Sequence, residues 1–333
     1  MSVLQPEAAA SEGPGGRGTR RVIATVARLT VGAALLVAIV LRVDWSRMDV
    51  RWGVGTILTL LAAVAVQLVA QALSAERWRL IMGSGAPRWS YLFRLYLIGN
   101  FFSIFLPTSI GGDAIRVVAV APSAGGKVRG GMGILLDRLF GVAALGCYLV
   151  AGLLVGGAEL TALGDAHLRW PGWVVALVVA GGVALALVAG LIVRRRFSRL
   201  REVWGGGWEL VRSLGRQPGR LTAVAVTSLL VQGAYIVAWM LLGVGLGLHI
   251  PLALYLVCVP IVSLGAMLPI TFSGLGIREG AWLLLLASLG IPKPTVVVFS
   301  LMYFAAFVVV GAVGGLAFLV RGVRDPSLIV GIS

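Results

Sequence analysis

Few charged residues of this chain stand inside apolar sequence, and those that do recur in one context. Asp113 and Arg116 close the stretch LPTSIGGDAIR (106–116), Arg278 closes LPITFSGLGIR (268–278) with Glu279 next to it, and Asp137 and Arg138 stand together in a third apolar run. A guanidinium binds phosphate through two parallel N–H groups, where an ammonium offers only a point charge. A helix that starts at a glycine aims free backbone N–H groups and a positive dipole end at an anion. Gly112 and Gly274 hold such positions, with Arg116 and Arg278 about one turn further on. These residue types describe an anion site: Arg116, Arg278 and Arg138 as cations, the hydroxyls of Thr108 and Ser109 as neutral partners, and Asp113, Asp137 and Glu279 as counter-ions or proton carriers. The structural alternative is a set of local ion pairs, Asp113–Arg116, Arg278–Glu279 and Asp137–Arg138, that pin helices while the glycines serve close packing. Charges at membrane depth are costly, which favours a functional reading.

Other chemistries lack their residues. Cys147 and Cys258 lie in apolar runs with no ligand or disulfide spacing, and His167 and His249 are isolated. No metal site or cofactor is expected. No Walker motif is present, so no P-loop ATP chemistry is expected, and no catalytic motif marks an enzyme.

The elements that position these charges are membrane spans. The chain has 333 residues, 59% hydrophobic and 12% charged, against about 25% charged in soluble domains. Windows near the roughly 20 apolar residues needed to cross a bilayer predict full spans at 22–41, 53–73, 131–155, 172–193, 221–243 and 295–320, so the chain is an all-α polytopic membrane protein. The net charge of +15 does not point to nucleic acid, because the arginines sit in short loops and no reading motif accompanies them. Residues 1–21 read as a disordered tail before an uncleaved first helix, 22–320 as one transmembrane domain and 321–333 as a second tail.

Two apolar regions, 89–121 and 249–290, are interrupted by the two motifs. From Leu95 to Leu106 is 12 residues, roughly 18 Å of helix, about half of a ~30 Å hydrocarbon core. The expected geometry is a re-entrant hairpin that turns at the motif, though the arms of the second region are also long enough for two full crossings. The motifs align without a gap: Leu, Pro, the second Gly, Ile and Arg coincide, and Ser109 faces Thr271. Each copy follows two spans and precedes one. The units 22–155 and 172–320 thus read as an inverted-topology repeat of three spans plus a hairpin, the plan of many secondary transporters. Under it, most Lys and Arg fall on one side: those before 22, between 77 and 94, from 116 to 129, from 194 to 220 and after 320. The positive-inside rule then puts both termini in the cytoplasm. The 194–220 loop alternates Phe197, Leu200, Trp204, Trp208, Val211 and Leu214 with arginines. It reads either as an amphipathic helix on anionic lipids or as a basic linker that fixes topology.

At these residues the sequence resembles the flippase-like transmembrane domain of bacterial lysylphosphatidylglycerol synthases. The resemblance spans about 22–320. It rests on Asn100 with Pro107, Thr108, Gly112, Asp113 and Arg116, on Asp137–Arg138, and on Pro269, Gly274, Gly276, Arg278, Glu279 and Gly280. The family pattern usually has Glu where this chain has Asp137. The resemblance implies a multi-pass protein of the bacterial cell (inner) membrane that moves lipid between leaflets, and it adds Asn100 to the candidate site. It does not reach the soluble synthase domain, so lipid aminoacylation is not expected. The leading expectation is a flippase or scramblase for an anionic or phosphate-bearing lipid, working by alternating access. Alternatives are a non-catalytic membrane partner of a separate lipid-modifying enzyme, and an intramembrane lipid transferase with Asp113 as base.

Overall fold

The computed structural model describes residues 52–105, 111–156, 205–267, 274, 276–286 and 289–321, with single positions before residue 52. Every regular element among the described residues is a helix. In chain order they are α1 (Val54–Met82), α2 (Trp89–Phe105), α3 (Gly111–Ala124), α4 (Lys127–Val155), α5 (Gly205–Gly215), α6 (Pro218–Gly245), α7 (Leu252–Met267), α8 (Ile277–Leu285) and α9 (Lys293–Arg321). Four are long and apolar enough to cross a membrane: Val54–Gly85, Lys127–Val155, Pro218–Gly245 and Lys293–Val320. The expected spans 22–41 and 172–193, and the motif turns 106–110 and 268–273, lie outside the described residues.

The central contact is between α1 and α6. They run antiparallel, and the third residue of each tends the end of the other. Thr56 Oγ1 donates to the Gly245 carbonyl at 2.9 Å. Arg220 donates from Nε to the Leu80 carbonyl at 2.6 Å and from Nη2 to that of Ile81 at 2.8 Å. The last carbonyls of a helix have no partner within it, and an arginine near that end also meets the negative pole of the dipole. Around this pair, α2 packs on α9 and α7 on α4, while α3 joins α2 and α4, and α8 joins α7 and α9.

Glycines set how close these helices come. A Cβ at Gly152 in α4 would stand 2.8 Å from Leu256 Cβ in α7, and one at Gly314 in α9 would collide with the Leu97 carbonyl of α2. Small residues carry helix contacts in membranes because lipid gives no hydrophobic drive for association. Aromatic and aliphatic side chains fill the core between α6, α7, α8 and α9, with Trp239, Trp282 and Phe299 fully or almost fully buried.

Two expectations change. The second span does not stop at residue 73: α1 runs on to Met82, so Arg77 is helical and buried rather than a loop charge. Nothing between 73 and 82 breaks a helix, and Arg77 meets a carboxylate there. Arg94 and Arg116, also counted among loop charges, are buried as well. The described part of the basic loop is indeed a helix, α5, but its apolar face does not turn to lipid. Leu210 and Leu214 pack with Ile81, Met132 and Val224, closing the ends of α1, α4 and α6.

Candidate functional site

The first motif's arms meet at glycine. A Cβ on Gly112 would run into the Gly99 carbonyl and Ser103 Oγ, and one on Gly99 would stand 3.0 Å from Arg116 Nε. The absence of side chains at both positions lets α3 lie against α2 and lets Arg116 cross it. The Arg116 guanidinium sits 4.2 Å above the Tyr96 ring and 6.0 Å from Trp78. Arg116 donates through Nη2 to Asp113 Oδ1. Asp113 holds a second cation: Arg138 approaches its Oδ2 through Nε at 2.9 Å and Nη2 at 2.8 Å.

Asp137 and Arg138 are sequence neighbours, but each pairs elsewhere. Adjacent residues of a helix point about 100° apart, which gives each its own partner. Asp137 accepts from Arg77 Nε at 2.6 Å and from the Tyr96 hydroxyl at 2.5 Å. Arg138 turns to Asp113. The expected Asp137–Arg138 pair is therefore replaced by two links between elements, one from α4 to α1 and α2, the other from α4 to α3.

The second motif is built differently. Gly274 and Gly276 have φ of +76° and +82°, a region that glycine enters without a Cβ penalty. Gly276 caps α8, and its N–H donates to Glu279 Oε2 at 2.6 Å. Ser300 Oγ donates to the other oxygen, Oε1, at 3.0 Å. Glu279 is fully buried and serves its own helix start and α9. Arg278 lies over Tyr303 and Phe304 at 5.5 and 5.8 Å, and Tyr303 stacks on Trp239 at 4.0 Å. Each motif arginine thus rests on an aromatic platform, a contact worth more where water is excluded.

Between the platforms is a cavity of about 280 Å³. Arg77, Arg116, Arg138 and Arg278 line it, with Asp137, Asn100, Ser103, Gln71, Gln232, Tyr96, Tyr235 and Tyr303. The sequence placed Arg116, Arg278, Arg138, Asp137 and Asn100 in one site, and all five line this cavity. Asp113 sits behind, on Arg116 and Arg138. Glu279, Gly112 and Gly274 shape the helices without lining the space. Thr108 and Ser109 lie outside the described residues. Arg77 and Tyr96 were not expected; the unbroken helical run from 73 to 82 was the available signal for Arg77. Among the described residues, several buried donors find no acceptor: Arg116 Nε and Nη1, Arg77 Nη1 and Asn100 Nδ2. Among the described residues no group of three or more His, Cys, Asp or Glu could hold a metal.

Long apolar helices around a buried, arginine-lined space define a helical membrane protein with a polar site at its centre. A family model described as the lysylphosphatidylglycerol synthase TM region matches residues 25–315, and the chain belongs to this family. No curated protein and no solved structure matches the chain.

Proposed function

We propose that the protein carries a phosphate-bearing lipid headgroup across the membrane, as a flippase or scramblase, by alternating access around two re-entrant hairpins. The observation that carries this reading is that Arg77, Arg116, Arg138 and Arg278 line one cavity, and that buried donors of Arg116, Arg77 and Asn100 have no acceptor among the described residues. A buried donor left unpaired costs free energy, and a phosphate brings several acceptor oxygens at once. The cavity, about 280 Å³, falls just below the range of small-molecule sites, roughly 300–1,000 Å³. That is room for a headgroup while acyl chains stay in lipid.

The packing supports an inverted repeat of 22–155 and 172–320. Exchanging α1 with α6, α2 with α7, α3 with α8 and α4 with α9 maps the main helix contacts onto one another. It also exchanges Thr56 with Arg220 as caps and Gly152 with Gly314 as contact points. Arg129 at the start of α4 lies beside Gly85 and Gly206, so the α2–α3 pair leaves and returns at one end of the molecule. That end also carries Arg79, Arg88, Lys127, Arg212 and Arg220, and the positive-inside rule assigns it to the cytoplasm. The reading places both termini there, in a multi-pass protein of the cell membrane.

A transferase would need a free base, and Asp113 and Asp137 each already hold two donors. The test is leaflet exchange of fluorescent phosphatidylglycerol in proteoliposomes. Wild type is expected to speed exchange, and Arg278→Ala to abolish it while the protein elutes as a folded species. Exchange unchanged in Arg278→Ala would sink the proposal.

A further inference from the structure

We infer that the cavity accepts a phosphate headgroup without an ammonium and rejects one that carries an ammonium, so that the lipid moved is an unmodified anionic one rather than its aminoacylated form. This rests on the transport reading above and narrows its substrate.

The first ground is the state of the carboxylates at membrane depth. Asp137 gives one oxygen to Arg77 and the other to Tyr96. Asp113 gives one to Arg116 and the other to Arg138. Glu279 gives one to the Gly276 N–H and the other to Ser300. Every oxygen of the three already has a donor, and the motif turns 106–110 and 268–273 contain no Asp or Glu. An incoming ammonium would have to share a carboxylate with the donors that carboxylate already holds. The second ground is the aromatic rings, the other natural seat for a cation. Of the rings that line the cavity, Tyr96 carries Arg116, Tyr303 carries Arg278 and Trp239 is stacked on Tyr303, so these seats are partly taken. The third is net charge: among the described residues, four arginines line the cavity against the one carboxylate of Asp137, with Asp113 behind. A second cation brought here is repelled by like charge. Among the described residues, buried donors of Arg116, Arg77 and Asn100 have no acceptor, and a phosphate brings acceptor oxygens to this set of cations.

The experiment compares three acyl-labelled lipids in proteoliposomes: phosphatidylglycerol, its lysyl ester and phosphatidylethanolamine. Phosphatidylglycerol is expected to exchange about tenfold faster, or more, than either ammonium-bearing lipid. Equal or faster exchange of the lysyl ester would overturn the selection and leave transport standing. If none of the three moves, transport falls, and binding decides the selection. For that arm, tryptophan emission of the detergent-solubilised protein is titrated with short-chain phosphatidylglycerol, its lysyl ester and inorganic phosphate. Tighter binding of the unmodified lipid supports the inference; equal affinity for the ester overturns it. Inorganic phosphate binding as tightly as the lipid would reassign the site to free phosphate. Gln232→Glu supplies the missing element, an added carboxylate on the wall where Gln232 now donates to the Gly141 carbonyl. It should narrow the preference several-fold, and a preference that does not narrow counts against the charge argument.

Discussion

At the scale of single residues, the two arginine–aspartate links differ in what they leave behind when broken. Asp137 has only Arg77 as a charged partner in its bonds, beside the Tyr96 hydroxyl. Arg77→Ala strands a buried carboxylate and is expected to lower stability by about 3–5 kcal/mol. Asp113 keeps Arg138 when Arg116 is removed, and the Arg138 side chain is 37% exposed. Arg116→Ala should therefore cost clearly less stability while removing lipid exchange. Lysine at 116 should restore exchange only in part, because one ammonium cannot match a two-pronged contact. Thermal unfolding in detergent, run beside the proteoliposome assay, checks both. Equal destabilisation by the two alanine variants would refute the ranking, and full activity in Arg116→Ala would remove that arginine from the site. The repeated motif singled out Arg116 and Arg278 in the sequence, and both line the cavity. Arg77 was not, because an arginine just past an apolar window looks the same whether it marks topology or meets a distant aspartate.

At the scale of elements, glycine spacing was visible and its partners were not. Gly152 and Gly314 read only as packing positions until α4 meets α7 and α9 meets α2. Their environments set the cost of adding a methyl. At Gly314 a Cβ collides with the Leu97 backbone, which cannot move aside as a side-chain tip can. Gly314→Ala is expected to destabilise by about 1–3 kcal/mol through overpacking. Gly146, also inside α4, has nothing within 4 Å of its Cβ position. Gly146→Ala should be neutral or stabilise by up to about 1 kcal/mol, the helix-propensity gain. Opposite signs for these two matched changes in thermal unfolding would verify the close approach of α9 to α2. The helix α5 teaches a related limit. Its spacing of Leu210 and Leu214 gives the same amphipathic pattern whether it lies on lipid or on protein. Because Leu210 is fully buried against α1, α4 and α6, Leu210→Ala should cost about 2–5 kcal/mol. A loss under half a kcal/mol would return α5 to the membrane surface.

For the whole molecule, the all-helical membrane class was legible because long apolar windows and a low share of charged residues point the same way. The helix order on either side of α5 runs long, short, short, long. The charge signal weakens in detail, since Arg77, Arg94 and Arg116 turn out to be buried. Arg79, Arg88, Lys127, Arg129, Arg212, Arg216 and Arg220 remain at or near helix ends. The packing now says which positions share an end. Ser84 follows Gly83, whose Cβ position lies against the Arg220 guanidinium, and Ser213 lies on α5 just before α6 begins. His249 follows the far end of α6, where Gly245 meets Thr56. Ser84 and Ser213 should thus lie on the cytoplasmic face and His249 on the outer one. In a Cys147→Ser background, which removes the exposed native thiol, His249→Cys is expected to react with an impermeant maleimide in intact cells. Ser84→Cys and Ser213→Cys should react only after the membrane is opened. Reversal of all three would turn the protein over and leave the helix packing intact, because charge alone sets the direction. Ser84→Cys and His249→Cys reacting from the same side would instead break the antiparallel α1–α6 pair, and the inverted repeat with it, since α6 would no longer join the two faces.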